Sequence, residues 1–248
     1  MTTGEEKGRY DAVKGQNRHD MARNVRILLG FLVLFLLIIA AFGFRQENTR
    51  FEYAGHLDDV VLRVGDEVVT LREFGFYIYA VESFTQQQAR KYNHKDPMDY
   101  WNTHFSSGMD SGFVSDIAKD TAVNTCLGDL VYAKMADAAG FEMPEDIQGS
   151  ITEKTDEWMS RISDEQISRL GINGGLVEKC IERSEKAKAY AYEYARSADL
   201  TGYKGDAAAL LSGGGKYFND KLLSMYDYRI NENLISELKF GRITVNYD

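Results

Sequence analysis

The residues able to do chemistry in this chain are few and poorly placed for it. Four histidines occur, His19, His56, His94 and His104. None stands in an H-x-H, H-x-x-x-H or H-E-x-x-H spacing, whereas a zinc site needs three or four converging ligands. The loop that carries His94 and His104 also holds Asp96, Asp99 and Asp110, where a metal is conceivable, but its composition is that of an exposed polar segment. Gly213-Gly214-Gly215-Lys216 hints at a phosphate cradle and fails as one. Leu210 stands where the first glycine belongs, Tyr217 replaces Ser or Thr, and no strand precedes. No serine sits in a G-x-S-x-G elbow. Cys126 and Cys180 fall on or beside apolar helical stripes, as free buried thiols do; a disulfide between them is possible outside the membrane. The carboxylates are spread along helix faces and supply no isolated acid–base pair. The expectation is therefore a protein with no catalytic centre, no metal and no cofactor.

Aromatic residues are the remaining signal. They cluster at Phe74-Gly75-Phe76-Tyr77-Ile78-Tyr79, at Tyr190, Tyr192 and Tyr194, and at Tyr226 and Tyr228. Tyrosine joins a rigid apolar body to a polar tip, which suits adaptable contacts with peptides. Ordinary core with an amphipathic rim is the competing reading. The residues singled out as peptide-binding are Phe76, Tyr79, Phe84, Tyr190 and Tyr194, in a concave apolar groove between helices lined by Phe76, Tyr79 and Tyr190.

The elements that would hold these side chains begin with an apolar run. Residues 27–44, ILLGFLVLFLLIIAAFGF, contain no charge. At about 1.5 Å per residue they make a helix of roughly 27 Å, close to the ~30 Å hydrocarbon core of a bilayer. Lys7, Arg9, Lys14, Arg18, Arg23 and Arg26 precede the run and only Arg45 and Arg50 follow it closely. Positive residues stay cytoplasmic, so residues 1–26 are expected as an internal tail and residues 45–248 outside. The run is long and its end, Ala40-Ala41-Phe42-Gly43-Phe44, matches a cleavage site poorly, so it reads as an uncleaved signal-anchor in the lipid bilayer. Residues 45–248 carry 34 Asp and Glu against 23 Lys and Arg. Such a balance argues against nucleic acid, which needs cations to displace counterions, and leaves basic or apolar peptides as partners.

Residues 45–57 read as a linker, and residues 58–248 as one extracytoplasmic helical domain. Val60–Val64 and Val68–Val69 around Gly65-Asp66 predict a hairpin. Thr70 with Glu73 forms a capping box that opens a helix from Leu71 to about Lys91, with Phe74, Tyr77, Ile78, Val81 and Phe84 on one face. Residues 93–112 read as a loop. A second helix is expected over about Phe113 to Ala139, closed by Gly140 with Phe141 packed back on its last turn. Pro144 opens a third, carrying Ile147, Ile151, Trp158 and Ile162. Ser163 and Gln166 cap a short segment ending at Gly171, and a fourth long helix covers about Leu176 to Ser197. Residues 199–215 read as a flexible linker. A last helix is expected over Tyr217 to Lys239, followed by a strand over Arg242 to Tyr247, whose only available partner is the stretch 60–69. The fold class expected is thus mainly α, with a transmembrane helix and a small sheet that pairs the two ends of the domain.

This order, V-L-R-V-G-D-E-V-V-T, then L-R-E-F, then A-K-M-A-D-A-A-G-F-E-M-P-E-D-I, then I-S-D-E-Q-I-S-R-L-G, with a terminal I-T-V, resembles the N-terminal chaperone domain of the SurA and PrsA foldases over residues 58–198 and 216–247. The resemblance implies a helical chaperone domain acting on secreted polypeptides. Many such proteins also carry a parvulin prolyl isomerase domain before the terminal helix. Only residues 199–215 occupy that place here, too few for a domain of order a hundred residues. The function expected is a membrane-anchored, extracytoplasmic chaperone-like protein that binds unfolded or newly exported polypeptides without covalent chemistry. The alternatives are a bitopic adaptor of an envelope complex and a degenerate peptidyl-prolyl isomerase.

Overall fold

The computed structural model describes residues 51–106 and 111–246. The cytoplasmic tail and the apolar run expected over residues 27–44 lie outside the described residues. Among the described residues no helix is long and apolar enough to cross a membrane.

The expected hairpin forms: β1 (Val60–Val64) pairs antiparallel with β2 (Glu67–Thr70). Gly65 opens the two-residue turn at φ +61°, a left-handed conformation that suits glycine. A bulge at Val61 lets Val61 and Leu62 both turn inward, and each is fully buried. Helix α1 (Leu71–Tyr92) starts at Thr70, whose side chain accepts from the Glu73 amide. Only half of the capping box exists, because the Glu73 carboxylate turns instead to Arg183. The buried stripe of α1 runs through Leu71, Phe74, Ile78, Glu82, Gln86 and Ala89. Phe84, expected on the buried face, is 65 % exposed.

Residues 93–112 are less featureless than expected, with a turn of helix α2 (Met98–Trp101) and two short paired strands, β3 (His104–Phe105) and β4 (Gly112–Phe113). Helix α3 (Val114–Ala138) ends as the sequence indicates. Gly140 is left-handed, its amide bonds Asp137 O, and the Phe141 amide reaches Ala136 O, the two bonds of a Schellman motif. The third predicted helix is two, α4 (Glu145–Gly149) and α5 (Ile151–Arg161). At the break Ser150 Oγ donates back to Ile147 O at 2.8 Å, a local bond that competes with helix continuation. Helix α6 (Asp164–Leu170) has both bonds of its Ser163–Gln166 capping box. Helix α7 (Gly174–Ala195) is capped by Asn173. The long helices form the body: α7 packs chiefly on α3 and α5, and α1 packs on α3.

Three expectations are corrected. Residues 53–57 are not linker: Tyr53–His56 make a 3-10 turn, and the Tyr53 hydroxyl donates to Leu71 O at 3.0 Å. Residues 199–215 are not merely a linker. Asp206 caps a short helix α8 (Ala207–Leu211), Leu210 and Leu211 are buried, and Tyr132 Oη donates to Leu211 O at 2.6 Å. The glycines there serve close packing, since a Cβ on Gly213 would overlap the Asn124 carbonyl of α3. Finally, no long helix spans 217–239. A π-turn (Phe218–Leu222) and a 3-10 turn (Leu223–Met225) lead into β5 (Tyr228–Ile230), then α9 (Glu232–Glu237). Asn231 explains the break. Its side chain accepts from the Leu234 amide to start α9, while its own amide donates to Val61 O at 2.8 Å. The two ends of the domain do share a sheet, of order β2-β1-β5 and wholly antiparallel. The C-terminal partner is β5, not the expected strand over 242–247.

Candidate peptide-binding surface

The five aromatic residues read from the sequence fall in three separate places. Phe76 and Tyr79 are 8 % and 7 % exposed and are engaged by the fold. Both meet Trp158 of α5, Phe76 stacked at 5.3 Å between ring centroids and Tyr79 edge-on at 4.8 Å. The Tyr79 hydroxyl donates to Arg161 O at 2.6 Å. Phe76, Trp158 and Ile181 floor a cleft of about 200 Å³ rimmed by Lys154, Glu157, Lys188 and Glu185. Of the three residues expected to line one groove, Phe76 lines this cleft and Tyr79 and Tyr190 do not. Tyr190 and Tyr194 are half-buried elsewhere. Tyr190 packs edge-on against Phe141, and Tyr194 Oη shares a 3.0 Å hydrogen bond with Tyr217 Oη. Their neighbours Tyr132 and Phe218 tie α7 to the C-terminal segment.

Phe84 is the exposed member, and it has company. Phe84, Tyr92, Phe105 and Phe113 are 65, 64, 42 and 47 % exposed. Phe84 and Tyr92 lie eight residues apart on α1, about 12 Å along its axis and roughly 80° round it. Tyr100 bridges to the β3–β4 hairpin, 5.4 Å from the Tyr92 ring and 6.2 Å from Phe105. His104 stands edge-on to Phe113 at 5.1 Å. Tyr92, Tyr100 and Phe105 thus form one linked row of rings, whereas Phe113, paired opposite His104, points to the other face of the hairpin from Phe105. Sequence reading missed this group because Tyr92, Phe105 and Phe113 stand outside any periodic pattern.

The buried polar groups are committed to the fold. Between α1, α3 and α7, Arg183 Nη1 donates to Glu73 Oε1 at 2.5 Å and Nη2 to Tyr77 Oη at 3.2 Å. The Tyr77 hydroxyl donates on to Asp129 Oδ2 at 3.1 Å. Burial raises the Asp129 carboxyl, opposed by hydrogen bonds from Ser184 and Tyr77. Cys126 and Cys180 border this network as free, buried thiols. Burial pushes Cys180 up to about 12 and Cys126 well above its ordinary value, in each case against the pull of Arg183. With a pKa near 12, on the order of one thiol in ten thousand is ionised at pH 8, and only the thiolate attacks. Neither cysteine is therefore expected to react with a thiol-specific disulfide reagent at pH 8 in the folded protein. Both should react once denaturant is added; rapid native labelling would contradict this burial. Among the described residues no group of three or more His, Cys, Asp or Glu is placed to hold a metal ion.

No family model, curated protein or solved structure matches this chain.

Proposed function

We propose that the protein is a membrane-anchored, extracytoplasmic chaperone-like factor that holds unfolded or newly exported polypeptide by non-covalent contact. The observation that carries this reading is the set of exposed aromatic rings, Phe84, Tyr92, Phe105 and Phe113, of which Tyr92 and Phe105 are joined through Tyr100. Aromatic side chains at this exposure offer apolar area without the entropy cost of long flexible chains. The acidic balance of residues 45–248 keeps a chain with such rings soluble and draws basic clients. The buried carboxylates and thiols have roles inside the fold. The hairpin and the long helices are in keeping with the likeness to the SurA and PrsA chaperone domain, whereas the terminal helix and I-T-V strand included in that likeness are not formed. The described residues between 199 and 215 hold one five-residue helix and no strand, which does not favour the isomerase alternative.

The test is suppression of aggregation. The full chain in detergent is mixed with a chemically denatured, aggregation-prone protein, and light scattering is followed. The chain is expected to suppress scattering at a few-fold molar excess. Replacing Phe84, Tyr92, Phe105 and Phe113 together by serine should remove most of that effect. Stability should change little, because exposed positions seldom matter to it. Equal suppression by the fourfold variant would remove these rings from the account, and no suppression by the native chain would remove the function.

A further inference from the structure

One cavity, of about 290 Å³, carries the opposite charge to the domain around it. Trp101, Leu238 and Phe240, all buried, give it an apolar floor. Lys119, Lys239 and Arg242 line it as well, and Asp116 is the one acidic residue that joins them. Three cations thus meet one carboxylate, in a body where residues 45–248 hold 34 Asp and Glu against 23 Lys and Arg. Among the described residues none of the three cations is in an ion pair. The cleft over Phe76 differs in this respect. Its Lys154 and Lys188 both pair with Glu185, and its Arg161 pairs with Glu157.

The backbone that carries the three cations is fixed. Lys119 is half-buried in the second turn of α3. Lys239 and Arg242 begin and end one turn, closed by Arg242 N donating to Lys239 O at 3.1 Å. That turn is pinned from beneath. Gly241, at φ +88°, lies on Trp101, where a Cβ would come within 2.7 Å of the indole. The buried Glu82 carboxylate accepts from the amides of Gly241, Ile243 and Thr244 and from the Thr244 hydroxyl. A backbone already ordered removes the loop-ordering part of the cost of binding. Three like charges round one cavity repel each other, and an anion placed among them relieves that repulsion, the more so over a floor that excludes water. Ser115, in the first turn of α3, adds the positive end of a 25-residue helix to the same wall.

The cavity also shares an element with the exposed rings. Helix α2 gives Met98 and Trp101 to its lining and carries Tyr100, the middle ring of the row from Tyr92 to Phe105. We propose that this cavity receives an acidic side chain, Asp or Glu, of a held polypeptide, with the carboxylate among Lys119, Lys239 and Arg242 and a neighbouring apolar residue on the Trp101–Phe240 floor. The ligand class is a polypeptide segment in which acidic residues stand next to large apolar ones. An acidic domain repels such segments over most of its surface, and this cavity gives them a place. The inference rests on the reading that the protein holds polypeptide.

Calorimetric titration tests it. The full chain in a neutral detergent is titrated with two end-blocked peptides, Ser-Phe-Glu-Glu-Phe-Ser and Ser-Phe-Gln-Gln-Phe-Ser. The first should bind at least about tenfold more tightly, as one charge-assisted hydrogen bond provides, and added salt should weaken it more than the second. Equal binding of the two, or binding of neither, would overturn the proposal. Replacing Lys119, Lys239 and Arg242 together by glutamine should erase the difference between the peptides, while Lys154→Gln with Lys188→Gln, at the other cleft, should leave it. A difference that survives the first variant, or is lost in the second, would also overturn the proposal. Arg242→Gln alone, at an exposed position, should show part of the loss, which keeps the site testable if the triple variant does not fold. Inorganic phosphate binding as tightly as the acidic peptide would overturn the assignment to polypeptide. A native chain that suppresses aggregation yet does not tell the two peptides apart would overturn this inference and leave client holding intact.

Discussion

Replacing Glu82 by alanine is expected to lower stability by about 3–5 kcal/mol. Three buried amides and one hydroxyl lose their acceptor together, and each unsatisfied buried donor costs roughly 1–3 kcal/mol. The loss is partly offset because a desolvated carboxylate is itself costly; burial raises the Glu82 carboxyl even against the hydrogen bonds from Thr244, Gly241 and Ile243. Glutamine does not rescue the site. Its oxygen can serve one pair of donors, but its NH₂ then faces the amide or hydroxyl of the other. Thermal unfolding should show a fall on the order of 10 °C for either variant, at roughly 2–4 °C per kcal/mol for a domain of this size. A fall below about 3 °C for Glu82→Ala would show that the C-terminal segment is held by its apolar contacts alone.

The second large effect concerns Glu73 and Arg183, whose side chains are 8 % and 10 % exposed. Glu73→Leu should cost about 3–4 kcal/mol, because it strands a buried guanidinium whose Nε already lacks a hydrogen-bond partner. Arg183→Met should cost somewhat less, about 2–3 kcal/mol, since Lys179 remains 3.6 Å from Glu73. The double variant, with both charges replaced by apolar side chains, is expected to be far closer to the native chain than the sum of the two. Chemical denaturation of the four proteins closes the cycle. Additive losses would mean that the two side chains do not stabilise one another.

These two sites show where sequence reading stops. Local signals were legible because their chemistry is local: the Gly65-Asp66 turn, the Ser163–Gln166 box, and the Gly140–Phe141 stop each act within a few residues. The tertiary roles were not. Glu73 looked like the second half of a capping box and is instead the partner of a residue 110 positions away. Glu82 and Gln86 are polar residues on the buried stripe of α1, the one sequence sign that something polar must meet them there. The alternation in Ile243 and Val245 reads as a strand, yet its amides bond a side chain rather than a ladder. The apparent 217–239 helix followed a chance periodicity across Asp227 and Asn231, two residues that favour turns and caps. Of the aromatic candidates, only Phe84 is exposed. Phe76, Tyr79, Tyr190 and Tyr194 were recognised as important by type, but pattern alone could not tell a ring that packs on Trp158 or Tyr217 from one that waits for a partner.

Photo-crosslinking in living cells offers the sharpest check on client holding by the exposed aromatic residues. A benzophenone amino acid is placed at position 84, 105 or 113, with position 192 as a control that is 67 % exposed on another helix. Positions 84, 105 and 113 are expected to trap many exported polypeptides as a broad distribution of masses, and position 192 few. A single discrete adduct at those positions would point to an adaptor with one folded partner. Trapping equal to that at position 192 would contradict any role for these residues in holding clients.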